Sequence, residues 1–212
     1  MYRMYAKSYD HRKISKTMKP ICNWAKSEFH FPSLKYLYHF RVLICTLTTA
    51  GCLARAREAH YYSSSHFSHI FIDEGASTHE TVSMIPIAGL CTSRNQVHSS
   101  VVLAGDPKQL DAVTKSENAV KLGFKTSFLE QLFNRKLYER NPLTGQYNRR
   151  YITQLVKNYR SHPAILAIPN ALFYENKLEA KASLDTTNWF IGSKLLPCKS
   201  FPIIFKSVQG LC

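Results

Sequence analysis

A chain of 212 residues with 45% hydrophobic and 20% charged side chains has the balance of a globular protein, which excludes a mainly disordered one. Its 28 Lys+Arg against 14 Asp+Glu leave a formal charge of +14, which favours a polyanionic partner, nucleic acid being the commonest. No apolar run approaches the roughly 18 residues of a membrane helix, and the opening MYRMYAKSYDHRK lacks the apolar stretch of a secretory signal, so neither is expected. Charge alone does not separate RNA, DNA and acidic membrane.

Residues 1–60 carry 11 basic and 3 acidic side chains, more than half of the charge excess. Val42–Leu47, His69–Asp73 and Val101–Ala104 read as buried parallel strands, because both parities are β-branched or aliphatic, as needed where helices cover both faces of a sheet. Tyr61–Ser65 reads as a polar loop. Thr81–Leu90, Ser127–Leu137 and Pro163–Tyr174 read as helices, with Pro86 expected to kink or shorten the first and Pro163 suited to the opening position of the last. Strand, loop and helix in repetition predict an α/β fold with ligands at the carboxyl ends of the strands. The six cysteines form no C-x-x-C pair and read as free, reduced, buried thiols. His60, His66 and His69 cluster without a cysteine or carboxylate at ligand spacing, so a metal site there is not expected.

Chemistry is concentrated after the strands. Asp73-Glu74-Gly75-Ala76 follows HIFI, and two acids there call for a cation or for hydrogen bonds; a strand-end pair capping the next helix is the simpler alternative. Gly105-Asp106-Pro107-Lys108-Gln109-Leu110 follows VVLA, where a neutral amide at Gln109 suits either a phosphate sensor or an ordinary polar turn. Asn158-Tyr159-Arg160-Ser161-His162-Pro163 offers a guanidinium fork for phosphate and a ring for stacking, or a surface turn before a helix.

In this order, the three runs resemble motifs II, III and IV of superfamily 1 helicases. RVLICTLTTAG resembles that family's strand followed by its T-x-x-x-A-G run. VVLAGDPKQLDAV, YITQLVKNYRSHPAILAIPNALFYENKLEA and FPIIF are similar to the Moloney leukaemia virus 10 group of Up-frameshift-like helicases, which includes Armitage and the plant silencing-defective helicase. RMYAKSYDHRKISKTMKPIC resembles the connector before the T-x-x-x-A-G strand. The resemblance implies a RecA-like P-loop NTPase fold, a parallel sheet flanked by helices. Residues 1–140 would be the later part of a first RecA-like domain and 141–212 the beginning of a second. It implies an ATP-dependent helicase moving 5′ to 3′ on single-stranded RNA in silencing, RNA turnover or transposon and virus defence. The cofactor would be Mg-ATP, the partners RNA and silencing-complex proteins with no membrane partner, and the location the cytoplasm and its ribonucleoprotein granules. Carried over by position, Asp73 would hold Mg²⁺ and Glu74 would activate water. Gln109 would sense the γ-phosphate, with Asp106 among the nucleotide-binding residues. Arg160 would reach phosphates across the domain cleft, Tyr159 would stack on adenine, and Thr46, Ala50 and Gly51 would form the RNA-contacting run.

Two departures qualify the expectation. None of the eight glycines opens a G-x-x-x-x-G-K-S/T run, the phosphate cradle of the family. The chain is therefore expected to be an interior piece with little ATPase activity alone, or a catalytically dead RNA- or partner-binding remnant. The family's usual Asp-Glu-Ala-Gly is here Asp73-Glu74-Gly75-Ala76. Residues 183–200 match the family poorly.

Overall fold

The computed structural model describes residues 1–59, 66–93 and 96–210; His60 and the expected loop Tyr61–Ser65 lie outside them. The chain divides into two compact units, Met1–Glu139 and Arg140–Cys212. Both are mixed α/β structures whose small parallel sheets are flanked by helices, as a RecA-like fold requires.

In the first unit, β1 (Tyr2–Arg3) leads through a hairpin of β2 (Trp24–Ala25) and β3 (Glu28–Phe29) to the short α1 (Leu34–Leu37). The hairpin turn places Lys26 and Ser27 at φ 49° and 65°. A two-residue turn with both residues left-handed matches the twist of the strands, but a side chain there is strained. Exchanging Lys26-Ser27 for Asn-Gly is expected to stabilise the protein by about 1 kcal/mol, read as a rise in the denaturation midpoint at unchanged slope.

The expected strand Val42–Leu47 shrinks to β4 (Leu43–Ile44), which pairs in parallel with β1. Helix α2 (Leu47–Ala59) begins at once, because the Thr46 hydroxyl oxygen accepts from the Thr49 N–H at 3.2 Å and ends the extended run as a cap would. Next come β5 (His69–Ile72) and α3 (Glu80–Pro86). As expected, the α-helix stops at Pro86, continuing as one π-helical stretch over Ile87–Cys91. Proline has no N–H for the i−4 carbonyl, so the wider ladder takes over.

This stretch packs closely on α2. A Cβ at Gly89 would lie 2.4 Å from Ala54 Cβ, and one at Gly51 would lie 3.1 Å from Ile85 Cγ2. Arg57 donates to the carbonyls of Leu90 and Thr92 at 3.4 and 2.8 Å, satisfying groups that the π-helix end leaves open. Tyr2, Met4, Leu34, Leu37, Ala50, Leu53 and Leu90 form the core beneath. Burial there pushes the Cys45 thiol up to about 11 and the Tyr2 phenol up to about 12.

The hairpin β6 (Thr92–Ser93) and β7 (Gln96–Val97) leads to β8 (Ser100–Leu103), which pairs in parallel with β5 from His69 opposite Ser100 to Ile72 opposite Leu103. Ile72 is 2% exposed, whereas Phe71 and its partner Val102 are 72% and 42% exposed. The expectation of cover on both faces is thus corrected. Helices close one face only, and the other parity of the same apolar runs faces outward. Helices α4 (Glu117–Lys121) and α5 (Phe128–Phe133) complete the unit, each capped by a serine hydroxyl that accepts from the third residue on.

The second unit contains β9 (Lys157–Asn158) paired in parallel with β10 (Glu179–Ala180), joined by α6 (Pro163–Phe173), and ends with α7 (Leu184–Thr187). Pro163 opens α6 as expected, and the His162 ring accepts from the Ala164 N–H at 3.1 Å. Asn170 clasps Leu178, donating to its carbonyl at 3.0 Å and accepting from its N–H at 2.9 Å, which brings the β10 side back to the helix. Glu175 accepts from Arg140 at 2.6 Å, and the guanidinium holds its carboxyl down at about 2. FPIIF, Phe201–Phe205, forms no strand or helix, and Phe205 is 92% exposed.

Candidate nucleotide and RNA site

The β5–β8 register decides what meets at the carboxyl end of the first unit. Because Ile72 stands opposite Leu103, Asp73-Glu74 and Gly105–Gln109 leave the sheet side by side. Two backbone bonds lock the exit: the Ala104 N–H donates to the Ile72 carbonyl and the Gly75 N–H to the Ala104 carbonyl, both at 2.8 Å. Runs 33 residues apart in sequence thus become neighbours.

Glu74 stands in the left-handed region at φ 54°, ψ 35°, unusual for a residue with a side chain. Its N–H donates to Asp73 Oδ1 at 3.1 Å, and both side chains are exposed. A strained, exposed carboxylate at a strand end is the kind of residue that surrounding structure must hold in place. On the adjoining loop, Asp106 accepts from the Lys108 N–H at 2.9 Å and from Gln109 Nε2 at 3.1 Å. Gln109 therefore lies folded back on Asp106, on the loop that leaves β8 next to the exit of β5.

Gly75 and Ala76 are buried between these loops. A Cβ at Gly75 would meet the Ala104 carbonyl at 3.4 Å, ordinary contact, so the alanine that the family has at this place fits. The double exchange Gly75→Ala with Ala76→Gly is expected to leave the fold intact at a cost of about 1 kcal/mol or less, because it moves one buried methyl rather than removing it. Its melting curve should shift by only a few degrees.

The three residues of the expected RNA-contacting run are split. Thr46 is exposed, with its hydroxyl 2.8 Å from that of Thr49 and 3.1 Å from that of Thr48. Ala50 is 5% exposed and belongs to the core, and Gly51 faces Ile85. The small residues of T-x-x-x-A-G let α2 pack closely, leaving Thr46 and Thr48 exposed while Thr49 is buried. Sequence reading missed this helix-packing role, although the spacing of Gly51 and Ala54, three apart on one face, is its signal.

In the second unit, the N–H groups of Arg160 and Ser161 donate to Asn158 Oδ1 at 2.9 and 2.8 Å. This turn leaves Tyr159 70% exposed and Arg160 exposed at the start of α6. Among the described residues, no group of three or more His, Cys, Asp or Glu is placed to hold a metal by itself. Mg²⁺ in nucleotide sites takes one or two carboxylates and completes its shell with phosphate and water, and exposed Asp73 fits that smaller demand. The cysteines differ from expectation. Cys22 and Cys91 are buried and Cys45 and Cys52 half-buried, but Cys198 is exposed, and its hydrogen bond with Ser200 lowers its thiol from the usual value.

A family model described as an AAA domain matches residues 5–117, and a second of the same description matches residues 125–211. "Putative helicase mov-10-B.2" of Danio rerio is 39% identical over 211 residues, which is 99% of this chain and 20% of that protein. "Putative helicase MOV-10" of Gallus gallus is 40% identical over 219 residues, covering 99% of this chain and 22% of its own length. "Probable RNA helicase armi" of Drosophila melanogaster is 37% identical over 148 residues, 68% of this chain and 12% of that protein. The chain spans about a fifth of the length of the first two. With a strand-end Asp-Glu beside G-D-P-K-Q on the adjoining strand and likeness across nearly its whole length, the chain belongs to the Mov10–Armitage family of Up-frameshift-like superfamily 1 helicases.

Proposed function

We propose that this chain is the interior part of an ATP-dependent RNA helicase, moving 5′ to 3′ on single-stranded RNA in silencing, RNA turnover or defence against transposons and viruses. The first unit is the later part of one RecA-like domain and the second the beginning of another. The observation that carries this reading is the parallel β5–β8 register, which sets Asp73 and Glu74 beside Gly105–Gln109. Relatives named as helicases, the one from Drosophila melanogaster as an RNA helicase, support it. Cytoplasmic ribonucleoprotein granules and silencing-complex proteins are the location and partners that go with it.

In this reading Asp73 would hold Mg²⁺, and Glu74 would serve as the base for the attacking water. Mg-ATP supplies the transferable phosphoryl group and the charge that the site must stabilise. Gln109, which donates to Asp106 in this structure, would sense the γ-phosphate, with Asp106 among the nucleotide-binding residues. Arg160 serves as a phosphate ligand, and Tyr159 offers its exposed ring to adenine. Thr46 meets the RNA backbone, with Ala50 and Gly51 letting α2 bring it forward.

A second reading, an RNA-binding remnant without ATPase activity, is favoured by one specific feature. No glycine of this sequence opens a G-x-x-x-x-G-K-S/T run, so residues 1–212 have no phosphate cradle of that kind.

Both readings require RNA binding, and its electrostatic part is directly measurable. Fluorescence anisotropy with a labelled oligouridylate should show affinity falling roughly a hundredfold between about 50 and 200 mM salt, as about five phosphate contacts would give. Absence of salt-dependent binding would remove both readings.

A further inference from the structure

The first unit contains a cleft of about 400 Å³ that the expected site residues do not line. One wall is the chain after β1, with Tyr5 and Lys7. A second is the end of β3 and the segment after it, with Phe29 and Phe31. The third is the first turn of α2, with Thr48 and Thr49. Phe29 is 8% exposed and sits in the wall, whereas Phe31 is 40% exposed and free to meet a ligand.

The cleft is built. Buried Asn23 accepts from the Tyr5 N–H at 2.7 Å and donates to the Tyr5 carbonyl at 3.0 Å. These bonds satisfy the Tyr5 backbone away from any ladder and fix its ring, whose centroid is 6.0 Å from that of Phe29. The guanidinium of Arg3 lies over the same ring at 5.2 Å from its centroid. An aromatic-walled hollow thus opens beside hydroxyls and a lysine, within a 60-residue stretch holding 11 basic and 3 acidic side chains. Flat rings accept any base face, hydroxyls suit ribose and phosphate oxygens, and the positive surroundings select a polyanion over an apolar peptide.

We propose that this cleft holds an unpaired nucleobase of a bound single-stranded RNA, stacked on Phe31, while the adjoining backbone crosses the Thr46–Thr49 turn. The proposal rests on the RNA reading above and adds a base-stacking subsite to it.

The test compares two strands on the whole chain by anisotropy at fixed salt: an oligouridylate, and an abasic ribose-phosphate strand of the same length and charge. The expected result is at least tenfold tighter binding of the base-bearing strand, on the order of one stacked base. Phe31→Ala should abolish that preference while leaving abasic affinity unchanged, and Phe31→Tyr should keep it. A wild-type measurement does not depend on the variants folding: 4-thiouridine cross-linking should place adducts on Tyr5 or on the Phe29–Phe31 peptide. Equal, salt-dependent affinity for both strands overturns the subsite and leaves the RNA reading standing, and a protein segment occupying the cleft would give that outcome. A base preference that survives Phe31→Ala, or adducts found only elsewhere, also overturns it. No binding of either strand overturns the RNA reading along with it.

Discussion

Replacing Glu74 with Gln, in a chain long enough to supply a phosphate cradle, is expected to lower ATP turnover by about 10²- to 10⁴-fold with ATP affinity nearly unchanged, the signature of losing a general base. The amide is nearly the same size as the carboxylate and keeps the place of Glu74 at the strand end. It cannot take a proton from water. Residues 1–212 alone are expected to hydrolyse ATP at no more than background, because backbone N–H groups and the lysine of G-x-x-x-x-G-K-S/T are absent from this sequence. Steady-state phosphate release at saturating Mg-ATP checks both statements. A Mg²⁺-dependent rate in residues 1–212 that Glu74→Gln abolishes would show that the short chain is itself an ATPase. A longer chain indifferent to Glu74→Gln would remove Glu74 from catalysis.

The second large effect concerns how the two loops are held together. Gly105→Ala is expected to cost about 2–4 kcal/mol and to lower the melting temperature by roughly 10 °C. A Cβ at this position would lie 2.8 Å from the backbone nitrogen of Ala76 and 3.1 Å from that of Gly75. Backbone cannot rotate away as a side chain can, so the loops after β5 and β8 would have to separate. The Gly75 N–H bond to the Ala104 carbonyl would be lost with them. Because the nearest clash is with a backbone atom, Ala76→Gly should not rescue Gly105→Ala. Urea denaturation of the single and double variants tests this, and full rescue would show that the Ala76 methyl was the obstacle instead. Gly75→Ala is the matched control, expected to cost little because its new Cβ meets only ordinary contacts.

Local rules explain most of what was legible in the sequence. The strands His69–Asp73 and Val101–Ala104 were readable within a residue of β5 and β8, since short β-branched runs bounded by polar residues leave few alternatives. Pro86 marked the end of α3 and Pro163 the start of α6, because proline acts through its own ring and missing N–H and needs no distant partner. The order of Asp73-Glu74, Gly105–Gln109 and Asn158–Pro163 carried the family resemblance, which relatives near 40% identity then established.

Positions that depend on distant partners were not legible. Val42–Leu47 reads as a six-residue strand, yet only Leu43–Ile44 pair, since β1 offers just Tyr2 and Arg3 and the Thr46 cap starts a helix. Apolar residues on both parities suggested two covered faces, but Phe71 and Val102 face outward because composition does not say what packs against a strand. Ala50 and Gly51 looked like parts of a contact run, and their places in the core and against Ile85 follow from how α3 crosses α2. The cleft of Tyr5, Phe31 and Thr48 joins residues more than forty positions apart, a juxtaposition no sequence window contains. The sequence by itself determined β5 and β8, the breaks at Pro86 and Pro163 and the family, because those rest on propensity and motif order within a few residues, whereas α2 was not legible and Ser127–Leu137 shortened to Phe128–Phe133. Tertiary structure alone decided the β5–β8 register, the buried and exposed faces and the aromatic cleft, because burial and close approach are properties of pairs of segments.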